Sequence, residues 1–323
     1  MPLTSRPVRN KGGDDGGMSN AMHPGLRAEV LHRYRLTGAA EPLVGNGDEC
    51  ELWRVDASPP VVVRLSPSWR SVAGLAWTHR VARTLAVGNA EVICPLPGLD
   101  GTTIFAWRDR PVSVWPYVQG HTLNRDDANQ RTAAAGLLAR LHRSALSTSD
   151  LNDAPPAPIP PDARVRTLPD PELDAELTRW HDGGARAEPR AVVHGDFYRG
   201  NILCRAGKIV GLLDWDDAHV DLLAAELAWA TWELAKAPTG DMMLIDRASC
   251  FIAAYQAADG PVTSTAMLVP LIRNHLRLKV ALADAARYTG HRVDENYRAA
   301  EIRGFKALRQ LRLPTASTAR DLT

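Results

Sequence analysis

Residues 191–203 read Ala-Val-Val-His-Gly-Asp-Phe-Tyr-Arg-Gly-Asn-Ile-Leu, and residues 209–216 read Ile-Val-Gly-Leu-Leu-Asp-Trp-Asp. The aliphatic runs at 191–193 and 209–213 are short and largely nonpolar, which predicts buried strands. A carboxylate follows each run near the point where the chain leaves the strand. Because an unpaired buried charge is costly, these carboxylates are expected to have partners there.

The polar residues of this stretch have the types and the spacing that phosphoryl transfer requires. Asn201 lies five residues after Asp196, and Asp214 lies thirteen residues after Asn201. The reaction needs a carboxylate that orients the attacking hydroxyl and accepts its proton, together with hard oxygen ligands for Mg²⁺. Asp196 therefore suits the catalytic base, while the amide oxygen of Asn201 and the carboxylate of Asp214 suit the metal. Gly, Asp and Asn are also common in turns, but three matches at this spacing favour the catalytic interpretation.

Residues 194–203 and 213–216 resemble the aminoglycoside phosphotransferase (phosphotransferase enzyme) family of small-molecule kinases, and the resemblance spans roughly residues 42–230. The family has a protein-kinase-like fold and includes antibiotic, choline, homoserine and sugar kinases. The resemblance implies that Asp196 is the catalytic base and that Asn201 and Asp214 are the magnesium ligands. It implies that His194 is a structural organiser of the catalytic loop. It also implies ATP as the phosphate donor.

Three further segments are similar to parts of the family. The turn with Gly45 and Gly47 is similar to the loop that covers the phosphates, although a plain hairpin turn is an equal alternative. Tyr117 and Val118 lie in a segment that looks like the hinge between lobes, where their backbone groups would meet the adenine edge. A plain edge strand is the alternative there. His142 follows a segment that resembles the helix before the catalytic loop, and we expect it to be a hydrogen-bonded packing residue.

One departure from the family concerns Arg64. The family carries Lys or Arg on the third strand, and Arg can grip a phosphate in a bidentate manner. Kinases pair this residue with a Glu on the following helix, yet no Asp or Glu occurs between Asp56 and Glu91, and Thr78 or His79 occupies the expected region. The ion pair that positions Arg64 is therefore either missing or supplied from elsewhere.

The hydrophobic pattern predicts an α+β protein of two lobes, an antiparallel sheet with one helix followed by a mostly helical lobe. Strands are expected at 42–44, 50–55, 61–65, 91–97, 102–107 and 112–118. Helices are expected at 23–34, 72–87, 126–146, 173–180, 222–235, 241–258, 265–288 and 296–311. We expect a disordered tail at 1–22, a nucleotide-binding lobe at 23–118 and a catalytic and acceptor-binding lobe at 119–323, with a proline-rich linker at 153–171 and a frayed end at 315–323.

The composition is that of an ordinary globular protein, with 45% hydrophobic and 23% charged residues among 323. A formal net charge of +1 argues for neither nucleic acid nor a membrane surface as a partner. The four cysteines form no C-x-x-C pair, which argues against a zinc ribbon and for reduced thiols. No apolar run is long enough to span a membrane or to serve as a signal peptide. These features predict a cytoplasmic protein.

In the family that this sequence resembles, C-terminal helices contribute to the acceptor pocket, so the charges near the C-terminus bear on the acceptor. Residues 262–323 contain eleven Lys or Arg and five Asp or Glu. Because like charges repel at short range, this excess disfavours a polycationic aminoglycoside and suits an amino alcohol, a hydroxy amino acid or a sugar. Asp216, Asp217 and Glu226 nevertheless keep a cationic acceptor open, and solvated helix faces are the alternative explanation of the basic residues.

The sequence therefore supports a kinase that uses ATP and Mg²⁺ to phosphorylate a hydroxyl of a small molecule. The missing helix Glu motivates a second hypothesis, a nucleotide-binding pseudokinase that regulates a partner. A protein kinase fits less well, since the chain has neither an Asp-Phe-Gly at the second metal ligand nor an Ala-Pro-Glu. The oligomeric state and the choice between ATP and GTP stay open.

Overall fold

A computed structural model describes most of the chain. The described residues are 21–43, 50–148, 154, 168–288 and 293–311, with side chains through 286 in the segment that ends at 288. Four predicted features lie wholly or mainly outside these residues, namely the tail at 1–22, the turn with Gly45 and Gly47, the linker at 153–171 and the end at 315–323.

The described residues form ten strands and eight α-helices. The strands are β1 (Ala40–Pro42), β2 (Glu51–Val55), β3 (Val61–Leu65), β4 (Phe105–Trp107), β5 (Arg110–Pro116), β6 (His121–Thr122), β7 (Arg190–Val193), β8 (Ile202–Arg205), β9 (Lys208–Leu212) and β10 (His219–Leu222). The helices are α1 (Pro24–Tyr34), α2 (Val72–Ala86), α3 (Ala128–Leu146), α4 (Pro171–Gly183), α5 (Leu223–Ala235), α6 (Ile245–Ala257), α7 (Leu268–Tyr288) and α8 (Glu295–Ala307).

The N-terminal sheet has five antiparallel strands in the order β1-β2-β3-β5-β4. Burial alternates along β3, where Val61, Val63 and Leu65 are buried while Arg64 is only partly buried. This period of two places Arg64 on the face opposite the packed one. Helix α1 covers the packed face, because its Leu26 joins the same apolar cluster. The predicted antiparallel sheet is confirmed.

Helix α2 links this sheet to the rest of the molecule. Ser71 caps its first turn by accepting a hydrogen bond from the Gly74 N–H. Leu75, Val81 and Leu85 are buried, as predicted from their helical spacing. Val81 and Leu85 belong to the larger apolar cluster, which contains α3 and the C-terminal helices. Helix α2 is therefore held by the helical part of the molecule.

The C-terminal part is mostly helical and is organised around α5. All thirteen residues of α5 are buried, as expected for a helix that is apolar on every side. Glu226 and Glu233 are the charged residues within it, so both need partners. Among the described residues, no helix is both long and apolar enough to cross a membrane.

The strand predicted at 91–97 was wrong. Residues 93–98 follow an irregular path, and Val92 forms only an isolated bridge with Leu212. Pro95 and Pro97 lack the N–H that a sheet ladder requires. The strand predicted at 102–107 is shorter than expected, since only β4 forms.

Strands β6, β8 and β10 were not predicted. The first has two residues and the others have four. In β10 the polar side chains of His219 and Asp221 alternate with apolar ones, and the strand pairs with β7. Such short segments give little periodic signal, although β10 supplies the sheet partner that holds the catalytic stretch.

The basic residues near the C-terminus pair largely with acids on other elements. The described ion pairs are Arg273 with Asp170, Arg277 with Asp174, Arg298 with Asp284, Arg303 with Asp241, and Arg309 with Glu172. Because these arginines already have acidic partners, the excess of basic residues in the sequence says less about the charge of the acceptor than the residue count suggested.

Candidate active site

The loop after β7 brings two of the predicted site residues into contact. The amide nitrogen of Asn201 donates hydrogen bonds to the Asp196 carbonyl oxygen and to Asp196 Oδ2, both at 3.0 Å. Both residues are buried. The loop, here called the catalytic loop (residues 194–201), therefore fixes the candidate base and one candidate metal ligand relative to each other.

His194 joins the catalytic loop to the end of β9. Its Nε2–H donates to the Leu213 carbonyl oxygen at 2.9 Å, while Nδ1 accepts from the Asp196 N–H at 3.3 Å. Its ring packs against Trp215 with 4.6 Å between centroids. Burial lowers the pKa of His194, which favours the neutral form that this pattern requires. The geometry agrees with the role of structural organiser expected from the family.

Gly195 fastens the catalytic loop to the helices behind it. Its φ is +83°, and a Cβ there would approach the Asp217 carbonyl oxygen to 2.2 Å, so a side chain would be excluded. The Gly195 N–H donates to Glu226 Oε1 at 2.8 Å, and Glu226 Oε2 accepts from His142 Nε2 at 2.9 Å. The Tyr255 hydroxyl donates to His142 Nδ1 at 2.8 Å. His142 is thus a buried, hydrogen-bonded packing residue, as expected.

This chain of hydrogen bonds stabilises the charge of Glu226. Burial alone would raise the pKa of Glu226, but the hydrogen bond from His142, with that from the Gly195 N–H, holds that pKa below its usual range. Glu226 is therefore a structural anion rather than a free group for a cationic acceptor.

The segment after β9, here called the metal-bearing segment (residues 214–217), is tied to the N-terminal sheet through Arg64. Arg64 Nη2 lies 3.0 Å from Asp214 Oδ1 and 2.8 Å from Asp216 Oδ2. Its Nε donates to Cys50 Sγ at 3.1 Å. Burial alone would raise the pKa of Asp214, but Arg64 holds it below the usual range. The acid that pairs with Arg64 is therefore supplied from outside the helix that follows β3.

His79 is, with Thr78, one of the two residues that the sequence places in the region of the helix Glu. It is buried, and its Nδ1 lies 2.8 Å from Thr103 Oγ1. Burial, together with the neighbouring charge of Arg64, lowers the pKa of His79 to about 3. An uncharged side chain therefore occupies this position, so it cannot form the ion pair.

Arg70 is a second link between the metal-bearing segment and the N-terminal part. Its Nη1 donates to the Asp216 carbonyl oxygen at 2.9 Å, and its Nη2 donates to Asp217 Oδ1 at 3.0 Å. Burial, which Arg70 offsets only in part, raises the pKa of Asp217 to about 7. The sequence did not point to Arg70, because its partners lie about 147 residues away along the chain.

Asn201 and Asp214 carry oxygen atoms of the kind that magnesium binds. Asn201 uses its amide nitrogen to bind Asp196, which leaves its amide oxygen as a ligand atom. The side chain of Asp214 is 40% exposed, so an ion can reach it. The described residues contain no group of three or more His, Cys, Asp or Glu suited to a metal. Two protein ligands suit magnesium, which usually keeps waters and phosphate oxygens in its coordination shell.

A cavity of about 470 Å³ opens at the predicted hinge. Its lining residues are Arg54, Pro60, Tyr117, Val118, Gln119 and Arg205. The Tyr117 N–H donates to the Pro60 carbonyl oxygen at 3.0 Å, so this N–H is already used and does not face a nucleobase as a free donor. The guanidinium of Arg54 lies 4.9 Å from the Tyr117 ring centroid. Arg54 and Arg205 were not predicted, since neither belongs to a motif.

The interior behind the catalytic loop contains buried polar groups without hydrogen bonds. The rings of Trp229 and His275 stack at 3.8 Å, and Trp229 Nε1 and both ring nitrogens of His275 have no hydrogen-bond partner among the described residues. These two side chains line a cavity of about 20 Å³ together with Gly195 and His219. That volume suffices for one water molecule. Trp229 and Trp232 are both buried, as expected for core residues.

Comparison with known proteins gives one family and several relatives. The model of the phosphotransferase enzyme family matches residues 43–263. A homoserine kinase from Gluconobacter oxydans is 28% identical over 152 residues, which are 42% of this chain and 47% of that protein. A homoserine kinase from Chelativorans sp. is 26% identical over 209 residues, or 59% and 63% of the two chains. The matches thus span about half the length of these curated relatives.

Solved structures with the same fold include two small-molecule kinases. An amicoumacin kinase in complex with AMP-PNP and Ca²⁺ superposes with a TM-score of 0.67 at 13% identity, over 90% of this chain and 93% of the other. A microcompartment-associated aminopropanol kinase gives 0.65 at 15% identity, over 88% and 95%. These similarities confirm the predicted kinase-like α+β fold.

Proposed function

Because the chain belongs to the phosphotransferase enzyme family, we propose that it transfers the γ-phosphoryl group of ATP to a hydroxyl of a small molecule. One observation carries this proposal. The hydrogen bond between Asn201 and Asp196 Oδ2 at 3.0 Å unites the candidate base with a candidate metal ligand. The ion pair of Arg64 with Asp214 adds the second ligand and a cation for phosphate.

Each residue has a role in this proposal. Asp196 orients the acceptor hydroxyl and takes its proton as the new O–P bond forms and ADP leaves. Asn201 and Asp214 would hold Mg²⁺, which neutralises negative charge on the phosphates. Arg64 binds phosphate oxygens. In this proposal residues 23–118 bind the nucleotide, and the residues that contact it are Arg64, Tyr117, Val118, Gly45 and Gly47. Residues 119–323 supply the base and the acceptor site.

For the acceptor, we propose a hydroxy amino acid such as homoserine. The curated relatives are named homoserine kinases. The names of these relatives are the observation that supports this choice.

ADP release measured with a panel of acceptors tests this function. The panel comprises homoserine, amino alcohols, sugars and an aminoglycoside, each with and without magnesium. We expect magnesium-dependent release that is fastest with homoserine and that is lost in Asp196→Asn. Equal turnover in Asp196→Asn would contradict the role of the base. Fastest release with another acceptor would overturn only the choice of homoserine.

The alternative is a nucleotide-binding pseudokinase. The absence of a helix Glu motivated it, but Arg64 has acidic partners at 2.8 and 3.0 Å in the metal-bearing segment. Binding of an ATP analogue without magnesium-dependent turnover of any acceptor in the panel would favour the pseudokinase.

A further inference from the structure

Arg64 has a buried acidic partner that does not come from the helix following β3. Asp216 Oδ2 lies 2.8 Å from Arg64 Nη2, and the side chain of Asp216 is only 3% exposed. Helix α2 contains no acidic residue. We propose that Asp216 is the positioning residue for Arg64, in place of a helix acid, and directs its guanidinium to the nucleotide phosphates. This inference rests on the proposed function for the role of Arg64.

Asp216 suits this role better than Asp214, although both contact Arg64. The Asp214 side chain is 40% exposed, and it is the candidate metal ligand, so a bound cation would compete with Arg64 for its charge. Asp216 is shielded from water. A buried carboxylate is costly unless its charge is paired. Asp216 therefore keeps Arg64 as its partner when a cation draws Asp214 away.

The backbone at Asp216 is fixed independently of that ion pair. Arg70 Nη1 donates to the Asp216 carbonyl oxygen at 2.9 Å, and Arg70 Nη2 donates to Asp217 Oδ1 at 3.0 Å. Arg70 precedes α2, so a residue of the N-terminal part holds the metal-bearing segment against Arg64. Two separate contacts thus set the position from which Asp216 acts.

The same arrangement explains why α2 needs no acid. His79 is the α2 residue whose titration is affected by Arg64, and burial keeps its pKa near 3, hence neutral. If Asp216 lost its charge, Arg64 would pair with Asp214 alone and would compete with the cation for that carboxylate. Loss of Asp216 should therefore weaken nucleotide binding and also raise the magnesium concentration that binding requires.

Binding of a non-hydrolysable ATP analogue tests the inference without any need for turnover. In Asp216→Asn, we expect the Kd of the analogue to rise about tenfold, with a smaller fall in kcat than rise in KM for ATP. Returning an acid to the helix in Asp216→Asn/His79→Glu should recover at least threefold of this loss. The matched variant Asp216→Asn/His79→Gln should recover none, because glutamine carries no charge.

A double-mutant cycle separates positioning from a merely structural role. In an Arg64→Gln background, Asp216→Asn should change the Kd less than twofold, because the residue that it positions is gone. The inference would be overturned if Asp216→Asn raised the Kd of the analogue by the same factor in the wild-type and Arg64→Gln backgrounds. It would also be overturned if the Kd of Asp216→Asn stayed within twofold of the wild-type value. Thermal unfolding of each variant identifies folded protein, and if Asp216→Asn is unfolded, Asp216→Ser, which also lacks the carboxylate, replaces it in the cycle with the same criteria.

The inference and the proposed function can fail separately. If the wild type turns over no acceptor but the cycle and the rescue behave as expected, the positioning role stands and the proposed function falls. If turnover is observed while analogue binding is insensitive to Asp216, the proposed function stands and the positioning role falls.

Discussion

The two segments that contain the candidate catalytic and metal-binding residues are anchored to different parts of the molecule. The catalytic loop is fastened to the helices behind it, through the hydrogen bond from Gly195 to Glu226. The metal-bearing segment is fastened to the N-terminal part, through Arg64 and Arg70. The base candidate is therefore held with the C-terminal helices, while the metal-ligand candidate Asp214 is held with the residues expected to bind the nucleotide.

The two segments also contact each other directly. His194 donates to the Leu213 carbonyl oxygen at 2.9 Å, and the Leu213 N–H donates to the Asn201 carbonyl oxygen at 2.8 Å. Because the two segments are anchored to different parts of the protein, we expect that a substitution can perturb one segment and leave the other in place. Apart from Asn201, which is a candidate metal ligand, changes on the loop side should affect chemistry and stability, whereas changes on the segment side should affect nucleotide and metal binding.

The largest effect is expected at the loop itself. Asp196→Asn keeps the shape of the side chain but removes the proton acceptor, and general acid–base catalysis typically contributes about 10² to 10⁴-fold. We expect kcat to fall about 10³-fold while the Kd of an ATP analogue stays within twofold of wild type. Steady-state ADP release and analogue titration measure the two quantities. A tenfold change in the Kd would show that the loop also serves nucleotide binding.

The next effect concerns the anchor of the loop. Glu226→Ala leaves the Gly195 N–H and His142 without their buried partner, so we expect the free energy of unfolding to fall by about 3 kcal/mol. Denaturant unfolding measures it. The control Glu226→Gln keeps an oxygen for the Gly195 N–H, and its amide can donate to His142 in the other tautomer. Its loss should be less than half that of Glu226→Ala, and equal losses would contradict this account of the anchor.

The smallest effect is expected at His79, in the way the free energy of unfolding depends on pH. The pKa of His79 is about 3 in the folded protein, against 6.5 for the ordinary side chain. Because the folded pKa is lowered, the unfolded chain binds the extra proton between these values, and stability falls as the pH falls. Between pH 7 and pH 5 this contribution is about 2 kcal/mol. Between pH 7 and pH 5 the free energy of unfolding should therefore fall by about 2 kcal/mol less in His79→Gln than in the wild type. Denaturant unfolding at both pH values measures this difference.

An unchanged pH slope in His79→Gln would mean that His79 takes up its proton in the folded protein as readily as in the unfolded chain, and is therefore charged at pH 5 in both states. It would then lie close to Arg64 as a second cation, and the explanation of why the helix position cannot pair with Arg64 would have to change.

Local patterns in the sequence predicted most elements, because these depend on neighbours along the chain, and they also singled out Asp196, Asn201 and Asp214, whose roles stay predictions. The apolar spacing of α2 and the runs before Asp196 and Asp214 are examples. The strand predicted at 91–97 failed since Pro95 and Pro97 cannot donate to a ladder. Strand β10 was missed because its polar residues mask its pairing with β7.

Contacts between distant residues could not be predicted in the same way. The sequence showed that Arg64 lacked a helix acid, but its partner Asp214 lies 150 residues away. That contact depends on how the end of β9 meets the face of the N-terminal sheet. Arg70 was overlooked for the same reason, since no local pattern distinguishes it from a surface arginine.

The division between the loop and the segment is tested most directly by one measurement, the titration of a non-hydrolysable ATP analogue with and without magnesium. It compares wild type, Asp196→Asn and Asp214→Asn. Magnesium should strengthen binding to the wild type and to Asp196→Asn alike, and should have little effect on Asp214→Asn, which lacks the carboxylate for the cation. An equal effect of magnesium on all three proteins would contradict the assignment of Asp214 and the separation of roles that follows from it.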